Sequence, residues 1–202
     1  MPHGSKIRLE HITSFGDAIF AFSITFMAIS IQISPNLPEN LTETQVIDRL
    51  LELRPNVEIY VISFFVIGVY WISYHQIFNH IIGSHSIMVW LNLVFLFFIT
   101  LISFAVDLQI DYGFYLVVFI IYALVLTMAG SSLALIWLHA RKNRLIDKTL
   151  SQVEIQNISL ESILPPAVFA ISIMISIINI QIAFYFWMVI IPAKIIIRKR
   201  YP

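Results

Sequence analysis

Between Ile12 and Ser34 the chain runs 23 residues with a single ionisable side chain, Asp17. Roughly 20 consecutive apolar residues suffice to cross a bilayer as a helix. The stretch therefore dictates a membrane span, and the rest of the chain repeats the pattern. Of the 202 residues, 59% are hydrophobic and 12% charged, against about 25% charged in a soluble domain. The charges are clustered, leaving long uncharged runs between them. The expected class is an all-α integral membrane protein. Net charge is zero, so bulk electrostatics give no reason to expect a nucleic-acid partner. With no cysteine, a disulfide, an iron–sulfur cluster and a thiolate metal site are all ruled out. The first hydrophobic run lacks a small-residue cleavage site and is too long for a signal core, so it reads as a retained span.

Six segments can be marked, at roughly 13–34, 57–80, 86–107, 112–139, 162–179 and 182–197, making one domain over 1–202. The last two require an argument. The run from Ile163 to Ile197 holds 35 residues, about 50 Å of helix at 1.5 Å per residue, against a hydrocarbon core of about 30 Å. A hairpin near Asn179-Ile180-Gln181 resolves the excess into two short spans. Pro165 and Pro166 then fall in the first turns of segment five, where proline is tolerated, and Pro192 is expected to kink segment six. The linker 140–158 reads either as mobile or as a helical extension of span four.

Lys and Arg set the topology. With six spans, Lys6, Arg8, Arg141, Lys142, Arg144, Lys148, Lys194, Arg198, Lys199 and Arg200 all fall on one side, and only Arg49 and Arg54 on the other. Both termini are therefore expected in the cytoplasm. The outer loop after span one carries Glu39, Glu43, Asp48 and Glu52. Within it, residues 42–53 are amphipathic, and Thr42-Glu43-Thr44-Gln45 fits a capping box for a short interfacial or loop-packing helix.

The first span is richer in polar groups than a lipid anchor requires: Asp17, Ser23, Thr25, Ser30 and Gln32. Polar groups inside a span usually face the bundle interior or a watery path. On a wheel of 100° per residue, Phe22, Thr25, Phe26 and Ile29 fall within about 100° of one another, and Asp17 lies about 80° from Thr25. Ala21, Ala28 and Ser30 supply small residues on other faces. Two readings of the stripe remain open. It packs helix on helix with Thr25 bonding back to its own helix. Alternatively, several copies face an axis, where Phe22 and Ile29 form a constriction that gates by dewetting and Thr25 adds a ring of oxygens. Asp17 either caps amides near the helix start, with Thr13 and Ser14 nearby, or joins a polar network with span two, which offers Trp71, Ser73, Tyr74, His75 and Gln76. His75 and His80 are spaced poorly for two metal ligands on one face. His85 and Asp111 sit at segment ends, and Asp107 and Asp111 fall near the outer mouth. No nucleophile elbow or zinc motif is present, so an enzyme is not expected.

His11-Ile-Thr-Ser-Phe15-Gly16-Asp17 resembles the signature of the transmembrane protein 175 family of potassium-permeable channels, which reads Arg, three residues, then Phe-Ser-Asp. Trp71-Ile72-Ser73-Tyr74-His75 resembles the Trp-Ile-Asn-His-His stretch of that family's span two. Trp90-Leu91-Asn92-Leu93 with Phe97 to Phe104 resembles its span three. His11 stands where the family has Arg and Gly16 where it has Ser; Arg8, one turn earlier, is a candidate substitute. The resemblance implies a homotetrameric cation channel of a prokaryotic plasma membrane, without a pore loop or a carbonyl filter. It implies that span one lines the pore, with Phe22 at a constriction, Thr25 at a polar layer and Ile29, beside Phe26, at the next apolar ring. His11, Phe15, Gly16, Asp17, Trp71 and His75 would form the network that holds this helix. No cofactor is implied beyond the permeant K⁺, passing near Thr25. A secondary transporter and a non-conducting membrane scaffold or sensor remain as other classes; no internal repeat is visible and the span centres lack acids.

Overall fold

The computed structural model describes residues 8–29, 31, 42–83, 85–113 and 115–200, with the side chains of 199 and 200 excepted. Lys6, Ser30, Gln32 and Glu39, singled out above, lie outside the described residues. The elements are α1 (Leu9–Ile29), α2 (Glu43–Glu52), α3 (Arg54–Phe78), α4 (Ser86–Tyr112), α5 (Leu116–Lys142), α6 (Gln152–Ser176), α7 (Ile180–Phe186), a 3-10 turn (Trp187–Val189) and α8 (Ile190–Arg200). Among the described residues, six helical stretches are long and apolar enough to cross a membrane: α1, α3, α4, α5, α6 and the broken helix Ile180–Arg198. The all-helical class expected from composition holds.

Local sequence explains the boundaries. Thr42 caps α2, and its capping box with Gln45 is formed in both directions. Pro55 sits in the first turn of α3, where its missing N–H costs nothing. Asn179 caps α7 by accepting the Ile182 amide at 3.0 Å, so the turn between the last two spans lies at the expected place. The start of α6 is earlier than hydropathy indicates. Ser151 and Glu154 make a second capping box, and the helix begins at Gln152 rather than near 162. Hence the second half of the 140–158 linker is neither mobile coil nor part of the preceding helix. Pro165 and Pro166 consequently lie in the interior of α6, not in its first turns. Each ring removes an amide from the helical ladder and crowds the carbonyl four residues back. In the last span the irregularity is the 3-10 turn Trp187–Val189, just before Pro192. A proline at 192 cannot bond the Met188 carbonyl, which accounts for a break at that point.

The helices pack α1 on α4 and α3, α4 on α5, α5 on α6, and α6 on α7 and α8. Aromatic residues fill the centre: Phe20, Tyr70, Tyr74, Phe95, Phe119, Tyr122, Phe169 and Trp187 are all buried. Their polar tips are satisfied across helices, as the absence of water in hydrocarbon requires. The Tyr70 hydroxyl donates to the Leu126 carbonyl, Tyr122 donates to Ser63 Oγ at 2.6 Å, Trp137 to Ser159 at 2.8 Å and Trp187 to Ser172 at 2.9 Å.

At one end of the bundle the turn after α3 meets the turn after α5. Ile81 and Ile146 form an antiparallel bridge, with the Ile82 amide on the Leu145 carbonyl at 2.8 Å and the Asp147 amide on the His80 carbonyl at 2.9 Å. The same end holds Arg198, which grips Glu161 of α6 through two nitrogens at 2.9 and 3.1 Å and Gln76 of α3 at 2.9 Å. Lys194 donates to Ser73 on α3. Hydropathy passes over Glu161 as a lone acid at the start of an apolar run. The fold buries it and satisfies it with a bidentate arginine, the strongest geometry such a pair has. These contacts gather the C-terminal ends of α3, α5 and α8 with the start of α6.

Gly130 shows how α5 accommodates the interior prolines. A Cβ there would lie 2.7 Å from Pro166 Cδ and 2.9 Å from the Tyr70 hydroxyl. Gly130→Ala is expected to destabilise the protein by roughly 1–2 kcal/mol, overpacking outweighing the gain in helix propensity. Gly68→Ala is the control, because nothing lies within 4 Å of its added methyl. Thermal scans of the solubilised protein check both; an unchanged transition for Gly130→Ala would refute the clash.

Candidate functional site: the first helix and its anchor

α1 has two unlike faces. Ile12, Gly16, Phe20, Ser23 and Met27 are buried against the bundle, a progression of three and four residues that marks one helical stripe. Phe20 touches Tyr74 and Phe95, with ring centroids 5.7 and 5.9 Å away. The Ser23 carbonyl accepts the Ser103 hydroxyl of α4 at 2.9 Å. This is the inward face.

The opposite face has no partner on another helix among the described residues. Phe22 is 62% exposed, Phe26 49% and Ile29 60%, and Thr25 is exposed between them. The rings of Phe22 and Phe26 stack at 5.6 Å and 17°. The Thr25 hydroxyl donates to the Ala21 carbonyl at 2.8 Å. That bond uses the proton and fixes the rotamer, and leaves oxygen lone pairs on the outward side of the helix. The face is therefore an apolar band interrupted by one acceptor.

Asp17 ties this helix to α3. Its Oδ1 accepts the Trp71 indole N–H at 2.9 Å and lies 2.6 Å from His75 Nε2. Trp71 and His75 are four apart, so one turn of α3 brings both to the same carboxylate. Their rings meet edge to face at 4.9 Å. Of the two roles open to Asp17, the geometry shows the interhelical one. The neighbouring Tyr74 hydroxyl donates to the Ile12 carbonyl at 3.2 Å, and its ring fills the space beside Gly16. A Cβ on Gly16 would come within 2.7 Å of that hydroxyl, which is the physical reason for glycine here. Of the other residues grouped with this network, His11 and Phe15 are exposed, and Arg8 pairs with Glu10 at 2.8 Å. Ser73 and Gln76 serve the α8 contacts described above. The sequence assigns no role to Ser103, quoted above within span three, or to Phe95, the α4 residues that complete the socket for α1.

The profile of the family described as the endosomal/lysosomal potassium channel TMEM175 matches residues 11–102, the stretch that contains the anchor and all of its socket but Ser103. Over these residues the chain is similar to the TMEM175 family. A potassium channel of Streptomyces collinus is 26% identical over 102 residues, 50% of this chain and 47% of the relative, so the chain spans about half the length of that curated relative. A potassium channel of Chamaesiphon minutus is 24% identical over 178 residues, 85% of this chain and 86% of the relative. The fold extends further than the sequence match. A crystal structure of a lysosomal potassium-selective channel TMEM175 homolog from Chamaesiphon minutus superposes with a TM-score of 0.78 at 22% identity, covering 96% of this chain and 97% of that one. The shared fold therefore includes α6 to α8, which lie beyond residues 11–102.

Proposed function

We propose that this chain is a TMEM175-like potassium-permeable cation channel, a homotetramer in which α1 of each copy lines the pore. The observation that carries the reading is the two-faced α1. A helix anchored by Asp17 on one flank, yet presenting Phe22, Thr25, Phe26 and Ile29 outward, has a surface built for copies of itself around an axis. Relatives named as potassium channels support the same reading. In it, Phe22 forms the narrowest ring and resists wetting, Ile29 forms a second apolar ring, and the Thr25 oxygens give a dehydrating K⁺ a transient layer of ligands. One hydroxyl ring falls well short of a carbonyl cage, so preference for K⁺ over Na⁺ is modest. No cofactor takes part. The cationic end of the bundle, with Arg141, Lys142, Arg144, Lys148 and Arg198, faces the cytoplasm of a prokaryotic cell by the positive-inside rule.

Purified protein in liposomes is expected to pass K⁺ faster than Na⁺. Thr25→Ala should narrow that preference about threefold, the scale of a weak, water-competed ligand. Flux that ignores this substitution would remove Thr25 from the pore. No flux at all from folded, tetrameric protein would overturn the channel reading in favour of a membrane scaffold.

A further inference from the structure

A concave feature lies on the other side of α3 from its contact with α1. A cavity of about 280 Å³ is walled by α3, α6 and the last span, with Phe65, Val69, Phe169 and Trp187 among its lining. It continues into an outer furrow of about 440 Å³ that reaches Leu50, Arg54 and Glu58. Val61, Ile62 and Met188 line both parts, so the two are one groove. From Glu58 to Val69 the groove follows α3 for 12 residues, about 17 Å of helix. That is about half of a hydrocarbon core, the depth of one leaflet.

The two ends differ in chemistry. The deep end is apolar. The outer end carries Arg54 and Glu58, paired at 2.9 Å and both solvent-accessible, with the Tyr185 hydroxyl donating to the other Glu58 oxygen at 3.2 Å. An exposed pair of this kind contributes little by itself, so its partners can be exchanged at small cost. A cation and an anion one helical turn apart complement a zwitterionic headgroup. A phosphate meets the Arg54 guanidinium in its favoured geometry, and a primary ammonium meets the Glu58 carboxylate.

We propose that this groove is a binding site for an ethanolamine phospholipid, its phosphate on Arg54, its ammonium on Glu58 and one acyl chain lying along α3 to Trp187. The site is independent of the pore, since its test reads lipid occupancy and not flux. A phosphatidylglycerol keeps the phosphate and lacks the ammonium, so it should bind through Arg54 alone.

The test uses the full chain in phosphatidylcholine vesicles containing increasing fractions of phosphatidylethanolamine or phosphatidylglycerol with brominated acyl chains. Bromine quenches nearby tryptophan, and the quenching that disappears in Trp187→Phe reports the groove. The Trp187-dependent signal is expected to saturate at about threefold lower ethanolamine lipid than glycerol lipid, the scale of an exposed charge contact. Glu58→Gln should erase that difference, and Val61→Phe, which narrows the passage at an exposed position, should weaken quenching by both lipids. Quenching that rises in simple proportion to lipid fraction, alike for both headgroups, would reduce the groove to bulk lipid contact and overturn the site. A preference for the glycerol lipid, or a preference untouched by Glu58→Gln, would overturn the headgroup assignment.

Discussion

Phe22→Ala is expected to raise potassium flux through reconstituted protein by about tenfold, a barrier lowered by about 1.4 kcal/mol. Phe22 holds its ring outward, 62% exposed and stacked on Phe26. Leaving a Phe side chain in water instead of burying it costs about 1.5–3 kcal/mol. In the proposed tetramer several such rings would line the same level, so water and a hydrated ion would meet a wall that resists wetting. Alanine removes most of that apolar surface and widens the neck. The ring lies outside the core, so its loss opens no cavity in the bundle, and the melting transition should stay near that of the parent. Unchanged flux from a folded Phe22→Ala protein would refute the gate, and Ile29→Ala would then test the second ring.

Asp17→Ala is expected to loosen α1 from α3 and to destabilise the solubilised protein by roughly 1–3 kcal/mol. Hydrogen bonds to a charged group contribute about 1.5–3 kcal/mol each when sheltered. Here two meet one carboxylate, from Trp71 and His75, but the site is partly open to solvent and the sum must be discounted. Asp17→Asn keeps a carbonyl oxygen for the Trp71 N–H and should recover part of the loss. A double-mutant cycle with His75→Ala isolates the pair and should give a coupling of about 1 kcal/mol. A coupling indistinguishable from zero would mean that the two side chains meet without holding the helix. Because α1 is proposed to carry the pore, Asp17→Ala should also alter flux, whereas Gly130→Ala on α5 should act on stability alone.

Much of the design was readable from residue order because hydrocarbon imposes strong local rules. A chain with so few charges in so long a run has to satisfy its backbone internally, so it becomes helices of bilayer length. The 35 residues from Ile163 to Ile197 are too long for one span and required a turn, which Asn179 caps. The distribution of Lys and Arg follows from the same rule, and so does the stripe on α1, whose spacing alone places Phe22, Thr25, Phe26 and Ile29 on one face. The start of α6 was equally local, in the Ser151–Glu154 capping box, but hydropathy masks it because a helix can begin well before its apolar stretch.

What the tertiary structure decided is which polar groups meet. Asp17 had a capping role and an interhelical role open to it, and nothing in the order of residues ranks them. The choice depends on α3 approaching closely enough at Gly16 for Trp71 and His75 to reach the carboxylate. Glu161 and Arg198 stand 37 positions apart, and Lys194 and Ser73 stand 121 apart; no helical period connects such partners. The hollow beside Trp187 likewise depends on how α3, α6 and the last span pack together. Periodicity is a property of one helix and is written in its own residues. Partnership belongs to two, and only their packing fixes it.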